Sequence, residues 1–294
     1  LLQDVERIFR DADDEFKSLD TVKAKLEQLK RDYQQAYENT YISLSVPSLF
    51  APYVRVELLE WKFREQPQLS AMRWYMVLSE YGLFGNIKED DPDLDVIPKI
   101  VENVVTPYIT DYLFTAWNPL SARQFESASR LVREVLDHVD GKLQKPQKML
   151  STVLDRFHNL INLHHKYAIT PNVDDKGHKQ WEFCQLQYWK ALKILRQLIK
   201  WRGLLSEDVI KTICGSHIGD NLLPFLSKEM RTLPVQTKTA LHFATELLNS
   251  LPEEWKAKAG VYGKIYNTIK AYFKLCQQQN VGSDSLAKIK SLVR

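Results

Sequence analysis

The sequence predicts an all-α fold, arranged as a helical-repeat-like stack of antiparallel helix pairs. Apolar residues recur every three or four positions along most of the chain, which is the period of a helix buried on one face. Only 10 of the 294 residues are glycine, and we find neither alternating apolar strands nor an Asn-Gly hairpin signal. Residues 37–61 and 97–120 share the order Pro, Pro-Tyr, Trp, which predicts structural units that stack on each other.

The helices are predicted from the spacing of apolar residues between proline, glycine and capping residues. In the second helix, Val22, Leu26, Leu29, Tyr33 and Tyr37 are spaced by three or four residues and therefore share one face. In chain order, the predicted helices cover residues 1–19, 21–37, 47–61, 69–81, a segment beginning at 98, 121–139, 146–165, 181–201, a short segment beginning at 206, 215–226, 234–250, 252–279 and 283–293. The polar loop between two of them predicts a sub-domain boundary near residues 170–180.

Residues at the helix ends support these boundaries. Pro47 and Pro52 are each expected to start a helix, because proline lacks the N–H that a first helical turn leaves unpaired. Pro107 is expected to kink or break the helix that begins near Pro98, since it removes one backbone hydrogen bond. The expected N-caps are Asp20 or Thr21, Asp95 and Ser206, and the expected helix ends are at Gly82, Gly141 and Gly203.

Charge is unevenly distributed along the chain, although the formal net charge is only +3. Residues 145–202 contain eleven Lys or Arg residues against four Asp or Glu residues. A basic segment of this kind favours acidic partners or a phosphate backbone. The acidic segment over residues 89–95 lacks the residue order of an EF-hand, so we expect a solvated loop there. Binding of a basic partner segment is the alternative.

The composition excludes several classes of protein. Cys184, Cys214 and Cys276 are far apart in the sequence, which argues against a zinc site or a disulfide framework and fits a reducing compartment. No apolar run has the roughly 18–20 residues that a bilayer requires, and we find no signal peptide, so we expect no membrane contact. Because the chain begins at Leu1 rather than Met, we expect it to be part of a longer protein.

The chain has no sequence motif of an enzyme active site, such as a Gly-rich phosphate loop, HExxH or GxSxG. We therefore expect no enzymatic activity and no cofactor; an enzyme whose residues assemble only in the fold is the remaining alternative. His164 and His165 are adjacent, so on a helix they point about 100° apart and cannot easily share a metal ion. We expect them to act at a helix end, near the negative end of the dipole.

The helix over residues 181–201 has a charged stripe opposite its apolar rows. The stripe is spaced as a helix face and consists of Trp189, Lys190, Lys193, Arg196 and Lys200. These residues are the candidate contacts with RNA phosphates or with an acidic partner. A solvated helix face shows the same pattern and is the favoured interpretation. The tryptophans and Pro-Tyr pairs are interpreted as core anchors rather than as a docking surface, because a buried aromatic ring contributes a large apolar area.

A family resemblance is carried by motifs that occur in the same order along the chain. The first motif comprises Tyr41, Ile42, Ser43, Leu44, Pro47, Leu49, Phe50, Pro52, Arg55 and Trp61, and the second comprises Ile97, Pro98, Pro107, Ile109, Trp117, Pro119, Leu120 and Ser121. Later matches are residues 186–190, Trp201 with Gly203, and the group Leu251, Pro252, Glu253 and Trp255. From about residue 18 onward the chain resembles the GC-rich sequence DNA-binding factor-like domain family, and most closely its PAX3- and PAX7-binding protein group. Asn118 replaces the family's usual aspartate, and the acids of a later family motif are missing from residues 164–171.

The resemblance implies a nuclear, non-enzymatic scaffold. It implies a helical extension over residues 1–19 and a family domain over residues 20–294. Members of this family associate with a G-patch protein that carries a related domain, in the post-catalytic intron-lariat spliceosome, where they help a DEAH-box helicase in spliceosome disassembly. The alternative, which the family name reflects, is a transcription regulator that binds GC-rich DNA or bridges a DNA-bound factor to chromatin enzymes.

Overall fold

The computed structural model describes residues 9–10, 12–63, 65, 68–83, 90–167, 179–231, 237–255 and 261–278. Within these ranges the chain is helical and contains no β-strand, only an isolated bridge between Arg202 and Leu205. The predicted all-α class is therefore confirmed for the described part of the chain. The predicted helix over residues 283–293 and most of the predicted boundary near residues 170–180 lie outside the described residues.

The chain divides into two compact units, Leu1–Leu154 and Asp155–Arg294. The first unit contains α1 (Leu19–Asp32), α2 (Gln34–Asn39), α3 (Ile42–Glu60), α4 (Arg73–Ser79), α5 (Val96–Ile100), α6 (Thr106–Thr115), α7 (Ala122–His138) and the beginning of α8 (Gln144–Tyr167). The second unit contains the rest of α8 followed by α9 (Lys179–Ile199), α10 (Glu207–His217), α11 (Leu223–Arg231), α12 (Thr237–Asn249) and α13 (Val261–Gln278). Short 3-10 turns lie at Asp14–Phe16, Leu69–Ala71, Pro92–Asp95 and Glu253–Trp255, and π-helical turns lie at Val101–Val105 and Ile218–Leu222.

Helix α3 is continuous through both of its prolines, so the prediction that Pro47 and Pro52 each start a helix is wrong. Proline inside a helix removes one backbone hydrogen bond and costs about 3 kcal/mol. The helix is held by apolar packing instead, because it contacts α5 and both the 3-10 turn and the π turn that flank α5. Its buried residues are Val46, Pro47, Phe50, Ala51, Val54 and Leu58.

By length and composition alone, α3 is long and apolar enough to cross a membrane, contrary to the expectation from the sequence. One such helix is weak evidence for a membrane span, because core helices of folded proteins pass the same test. Glu57 on this helix accepts hydrogen bonds from the backbone N–H groups of Arg73 and Trp74, at 2.6 and 2.9 Å. Its carboxylate therefore caps the first turn of α4, which is a structural role within the first unit.

The second proline segment runs through α5, a π turn and α6 without ending. The expected disruption at Pro107 takes the form of the π turn at Val101–Val105, which immediately precedes Thr106 and Pro107. A π turn places an extra residue in the helix and, like proline, is a recognised cause of kinks. The hydroxyl of Thr106 donates to the carbonyl oxygen of Val101 at 2.8 Å, so this carbonyl keeps a partner within the turn.

Several predicted helix ends need correction. The cap of α1 is Ser18 rather than Asp20 or Thr21, and Ser18 and Thr21 form a reciprocal capping box. This helix also stops at Asp32, with α2 beginning after Tyr33. The described part of residues 9–18 contains only the 3-10 turn Asp14–Phe16, where an α-helix was predicted. Two further corrections are that Ser206 makes no side-chain capping bond and that α7 is capped at Val139 rather than at Gly141.

The acidic segment before α5 is not solvated throughout, because Asp93 is only 3% exposed although most of its described neighbours in the segment are exposed. The ammonium of Lys30 lies 2.7 Å from one carboxylate oxygen of Asp91 and 2.7 Å from one of Asp93. Tyr37 donates its hydroxyl to the other Asp93 oxygen at 3.0 Å, and the hydroxyl of Tyr81 lies 2.9 Å from that of Tyr37. Burial lowers the pKa of Lys30, but the hydrogen bonds to the two aspartates outweigh it and raise the pKa overall. This network joins α1, α2, the residues just after α4 and the turn before α5.

Gly82 fits the same network because it leaves room for Asp93. Its φ angle of +76° is in the left-handed region, which side chains with a Cβ atom rarely adopt. A Cβ atom at this position would also lie 3.0 Å from the Cβ atom of Asp93. Helix α4 ends at Ser79, before the predicted end at Gly82, and the tertiary structure gives a second reason for glycine at this position.

We expect Asp93→Asn to lower the free energy of unfolding by about 3 kcal/mol, because it leaves Lys30 less fully paired in a buried setting. The matched control is Asp90→Asn, which removes the same charge from an exposed residue of the same segment and is expected to change stability by less than about 0.5 kcal/mol. Urea denaturation followed by circular dichroism measures both. Equal effects of the two variants would show that the buried pair contributes nothing to stability.

Candidate nucleic-acid interface

Helix α9 presents one buried side and one charged side. Its buried apolar residues are each at most 2% exposed, and they are Cys184, Tyr188, Ala191, Leu192, Ile194, Leu195 and Leu198. The hydroxyl of Tyr188 donates to the backbone carbonyl of Phe243 at 2.9 Å. The apolar rows predicted for this helix are therefore buried as expected, and the charged stripe lies on the opposite side.

A network of buried histidines fixes the position of α9 within the second unit. The Nε2 atom of His164 lies 2.8 Å from the carbonyl oxygen of Gln187, and the Nε2 atom of His217 lies 2.8 Å from that of Ala191. The side-chain amide of Asn221 lies 3.1 Å from Nδ1 of His217. If Nε2 of His217 donates to the carbonyl and Nδ1 accepts from the amide, the ring is neutral. Burial, opposed by the bond to Ala191, lowers the pKa of His217 to about 4.

His164 and His165 lie in the last turn of α8, which ends at Tyr167. Their contacts go beyond a role at the helix end, because the Nδ1 atoms of His164 and His165 lie 3.4 and 3.2 Å from the side-chain oxygen of Asn221. Local sequence patterns do not indicate this tertiary partner, because Asn221 is 57 positions from His164 and 56 from His165. Among the residues that the structure describes, no group of three or more His, Cys, Asp or Glu side chains is placed to hold a metal ion.

Two members of the predicted stripe are directed toward α12. The ring of Trp189 is half-buried, with its centroid 5.3 Å from that of His242. The guanidinium of Arg196 donates to the carboxylate of Glu246 and to the hydroxyl of Ser250, both at 2.7 Å. Arg196 is therefore engaged within the fold, and its charge is partly balanced.

The other three members, Lys190, Lys193 and Lys200, are exposed. Lys190 and Lys193 are three positions apart, and Lys200 follows Lys193 after two further turns, about 10 Å along the helix axis. Neither Lys190 nor Lys193 forms an ion pair with any residue in the described part of the chain. Three of the five candidate residues are therefore on the surface, where their ammonium groups form a row on one helix face.

The family-signature residues differ in their exposure. Trp117 and Trp201 are fully buried, and Tyr41 is 69% exposed with a φ angle of 55°. Of the other signature residues, Pro47 and Pro119 are buried, Trp61 and Pro98 are partly buried, and Pro52 and Pro107 are exposed. Burial of the two tryptophans fits their interpretation as core anchors, whereas Tyr41 does not contribute to the core.

Comparison with known proteins gives the family. The family model described as GC-rich sequence DNA-binding factor-like protein matches residues 19–226. This match begins at the first residue of α1 and ends within α11, so it covers more than half of the chain and includes the whole of α9. The chain belongs to the GC-rich sequence DNA-binding factor-like family. The resemblance inferred from the sequence motifs is thereby confirmed.

Three curated relatives of this family member illustrate its range. It is 25% identical to mouse Intron Large complex component GCFC2 over 87% of the chain, and 26% identical to mouse PAX3- and PAX7-binding protein 1, also over 87%. It is 26% identical over 80% of the chain to Transcriptional repressor ILP1 of Arabidopsis thaliana. The matched region covers only 34%, 28% and 26% of these relatives, respectively. Their names associate the family with splicing-related or transcription-related roles, both of which are nuclear.

The depressed pKa of His217 predicts a pH-dependent stability. An unfolded histidine takes up a proton below about pH 6.5, whereas folded His217 does so only near pH 4. The stability contributed by neutral His217 is therefore complete above pH 6.5 and is lost as the pH falls toward 4. Between pH 7 and pH 5 this loss amounts to roughly 2 kcal/mol.

Urea denaturation at pH 7, 6 and 5 measures this dependence. We expect His217→Gln to remove about that much of the pH dependence, because an amide can donate to the Ala191 carbonyl but does not titrate. His158→Gln, at an exposed position on α8 outside this network, is the control and should retain the wild-type dependence. Parallel curves for the wild type and His217→Gln would contradict a neutral, buried His217.

Proposed function

We propose that this chain is a non-enzymatic nuclear scaffold in pre-mRNA splicing, which assists disassembly of the post-catalytic intron-lariat spliceosome. The observation that carries the proposal is family membership over residues 19–226 together with a relative named as an Intron Large complex component. The proposed partners are a G-patch protein with a related domain and the DEAH-box helicase of the late spliceosome. We also propose that the helices form a repeat-like stack of antiparallel pairs, which the shared order Pro, Pro-Tyr, Trp in residues 37–61 and 97–120 supports.

The proposed mechanism is positional, since the chain presents helix faces and performs no chemistry. Lys190, Lys193 and Lys200 would contact RNA phosphates through their flexible ammonium groups, which gives an affinity that depends strongly on salt. Trp189 packs on His242, and Arg196 is paired with Glu246, so neither is positioned to stack on or read a base. Contacts of this type position a protein on RNA without selecting a sequence.

A second candidate is a transcription regulator that binds GC-rich DNA or bridges a DNA-bound factor to chromatin enzymes. It is supported by the relative named as a transcriptional repressor and by the description of the family. This function predicts a preference for GC-rich duplex DNA over random duplex, or copurification with chromatin. Gel-shift titrations of the two duplexes in parallel test the DNA-binding form directly.

The decisive experiment for the splicing function is crosslinking mass spectrometry of the full-length, tagged protein in nuclear extract. We expect crosslinks to a G-patch protein and to late spliceosome components, with RNA adducts between residues 190 and 200. Crosslinks only to DNA-bound factors would overturn the splicing function and favour the transcription regulator.

The exposed lysines predict a measurable loss of RNA binding on charge reversal. We expect Lys190→Glu/Lys193→Glu to weaken binding of a 20-nucleotide single-stranded RNA by at least about tenfold in fluorescence anisotropy titrations. The slope of log affinity against log salt should also become shallower by about 1.4, since each lost phosphate contact removes about 0.7. Lys211→Glu/Lys270→Glu has the same charge change at exposed positions on α10 and α13 and should bind as the wild type does. Equal losses in both variants would indicate a general effect of net charge rather than an α9 interface.

A further inference from the structure

An open groove in the first unit lies beside α6 and the beginning of α8. Its cavity has a volume of about 470 Å³, and its lining includes Pro107, Asp111, Phe114, Lys145 and Lys148. All of its lining residues belong to the first unit and to the described part of the chain. We name this cavity the α6–α8 groove.

One wall of the α6–α8 groove is apolar and exposed. Pro107 and Phe114 are seven positions apart on α6, or about two turns, and therefore lie on the same side of the helix. Phe114 is 63% exposed, which is unusual for an aromatic side chain of this size. A ring in this position would bury a large apolar area if a partner covered it, and it is well placed to anchor one bulky apolar side chain.

The opposite wall is basic. Lys145 and Lys148 are three positions apart at the beginning of α8, and neither forms an ion pair with a carboxylate among the described residues. The ammonium of Lys145 contacts the side-chain oxygen of Asn103, which is uncharged. Lysines in the first turns of a helix are unfavourable because they lie near the positive end of the dipole. Carboxylates of a partner would offset this unfavourable interaction as well as pair with the two lysines.

We propose that the α6–α8 groove binds an acidic peptide segment of a partner protein, with a bulky apolar side chain of the segment packed against Phe114 and Pro107 and its carboxylates at Lys145 and Lys148. The proposal rests on the groove alone, and it is compatible with either function proposed for the chain. It adds a site and a class of partner beyond the row of lysines on α9, for which we propose RNA phosphates.

Asp111 favours a peptide over RNA in this groove. Its exposed carboxylate lines the cavity on the same helix as Phe114 and would repel a continuous phosphate backbone. An acidic peptide can avoid this repulsion, because it places its carboxylates only where lysines lie and can direct a backbone N–H toward Asp111. The mixed character of the groove therefore suits a short segment in which acids alternate with an apolar residue.

The test is fluorescence anisotropy of the full chain with three fluorescein-labelled probes at 50 and 150 mM salt. The first probe is the peptide Ser-Glu-Glu-Phe-Glu-Asp-Gly, the second replaces its Phe with Ala, and the third replaces its acidic residues with Lys. We expect the first probe to bind at least about fivefold more tightly than the second, and the third not to bind measurably. A 20-nucleotide single-stranded RNA serves as a fourth probe.

Variants of the chain locate the binding. We expect Lys145→Glu/Lys148→Glu to weaken binding of the first probe by about tenfold or more, and Phe114→Ala to weaken it by about fivefold. Asp111→Asn should strengthen binding about threefold, which loss of folding cannot explain. The controls are Lys211→Glu/Lys270→Glu, which makes the same charge change elsewhere, and Leu44→Ala, which also truncates an exposed apolar side chain. Both should bind the probe as the wild type does.

Several outcomes would overturn the proposal. One is equal binding of the acidic and basic peptides, and another is binding of the first probe that is unchanged in Lys145→Glu/Lys148→Glu. A third is RNA binding that is lost in Phe114→Ala, which would make the groove a nucleic-acid site instead. None of these outcomes bears on crosslinking to the late spliceosome, so failure of the groove and failure of the splicing function are distinguishable.

Discussion

The pairing of buried polar groups determines how the helices of this chain meet. In the first unit the carboxylate of Asp93 is almost completely removed from water, where an unpaired charge would cost several kcal/mol. It is stable because Lys30 and Tyr37 arrive from two different helices, each at hydrogen-bond distance. A change in the position of α1 or α2 would break these bonds, so the network selects one arrangement among the many that apolar packing alone would tolerate. His164 and His217 have the same effect in the second unit, because each bonds to a backbone carbonyl of α9.

The periodicity of the sequence was sufficient to predict the helical class, most of the longer helices and the buried rows of α9, because each of these depends on neighbours three or four positions away. The prolines of α3 show where this reasoning fails. Pro47 and Pro52 each suggest a helix start, yet α3 continues through both. The helix stays continuous because six of its residues are buried against neighbouring elements. The local sequence contains no information about that packing.

The charged residues show even more clearly that local sequence does not predict tertiary partners. The segment over residues 89–95 was expected to be solvated because it is acidic. The lysine that pairs with the buried carboxylate of Asp93, Lys30, is 63 positions away. In the predicted stripe on α9, helix geometry correctly placed five residues on one side of the helix. Helix geometry could not show that Arg196 forms an ion pair with Glu246, 50 positions later, or that Lys190 and Lys193 remain on the surface. A single sequence gives the direction of a side chain from its helix, but the partner on the next helix is known only from the fold.

The two candidate surfaces differ in the kind of selectivity that their chemistry can provide. A row of exposed lysines attracts any polyanion, and its attraction falls steeply with salt, so Lys190, Lys193 and Lys200 can increase the rate and strength of association but discriminate poorly between partners. Discrimination requires an apolar contact whose shape must be filled, together with charges that reject the wrong partner. The α6–α8 groove has both, since Phe114 offers the apolar contact while Lys145 and Asp111 impose opposite charge requirements within one cavity. The scaffold function proposed for this chain would require such a division, because a surface that only attracts would bind nuclear polyanions indiscriminately.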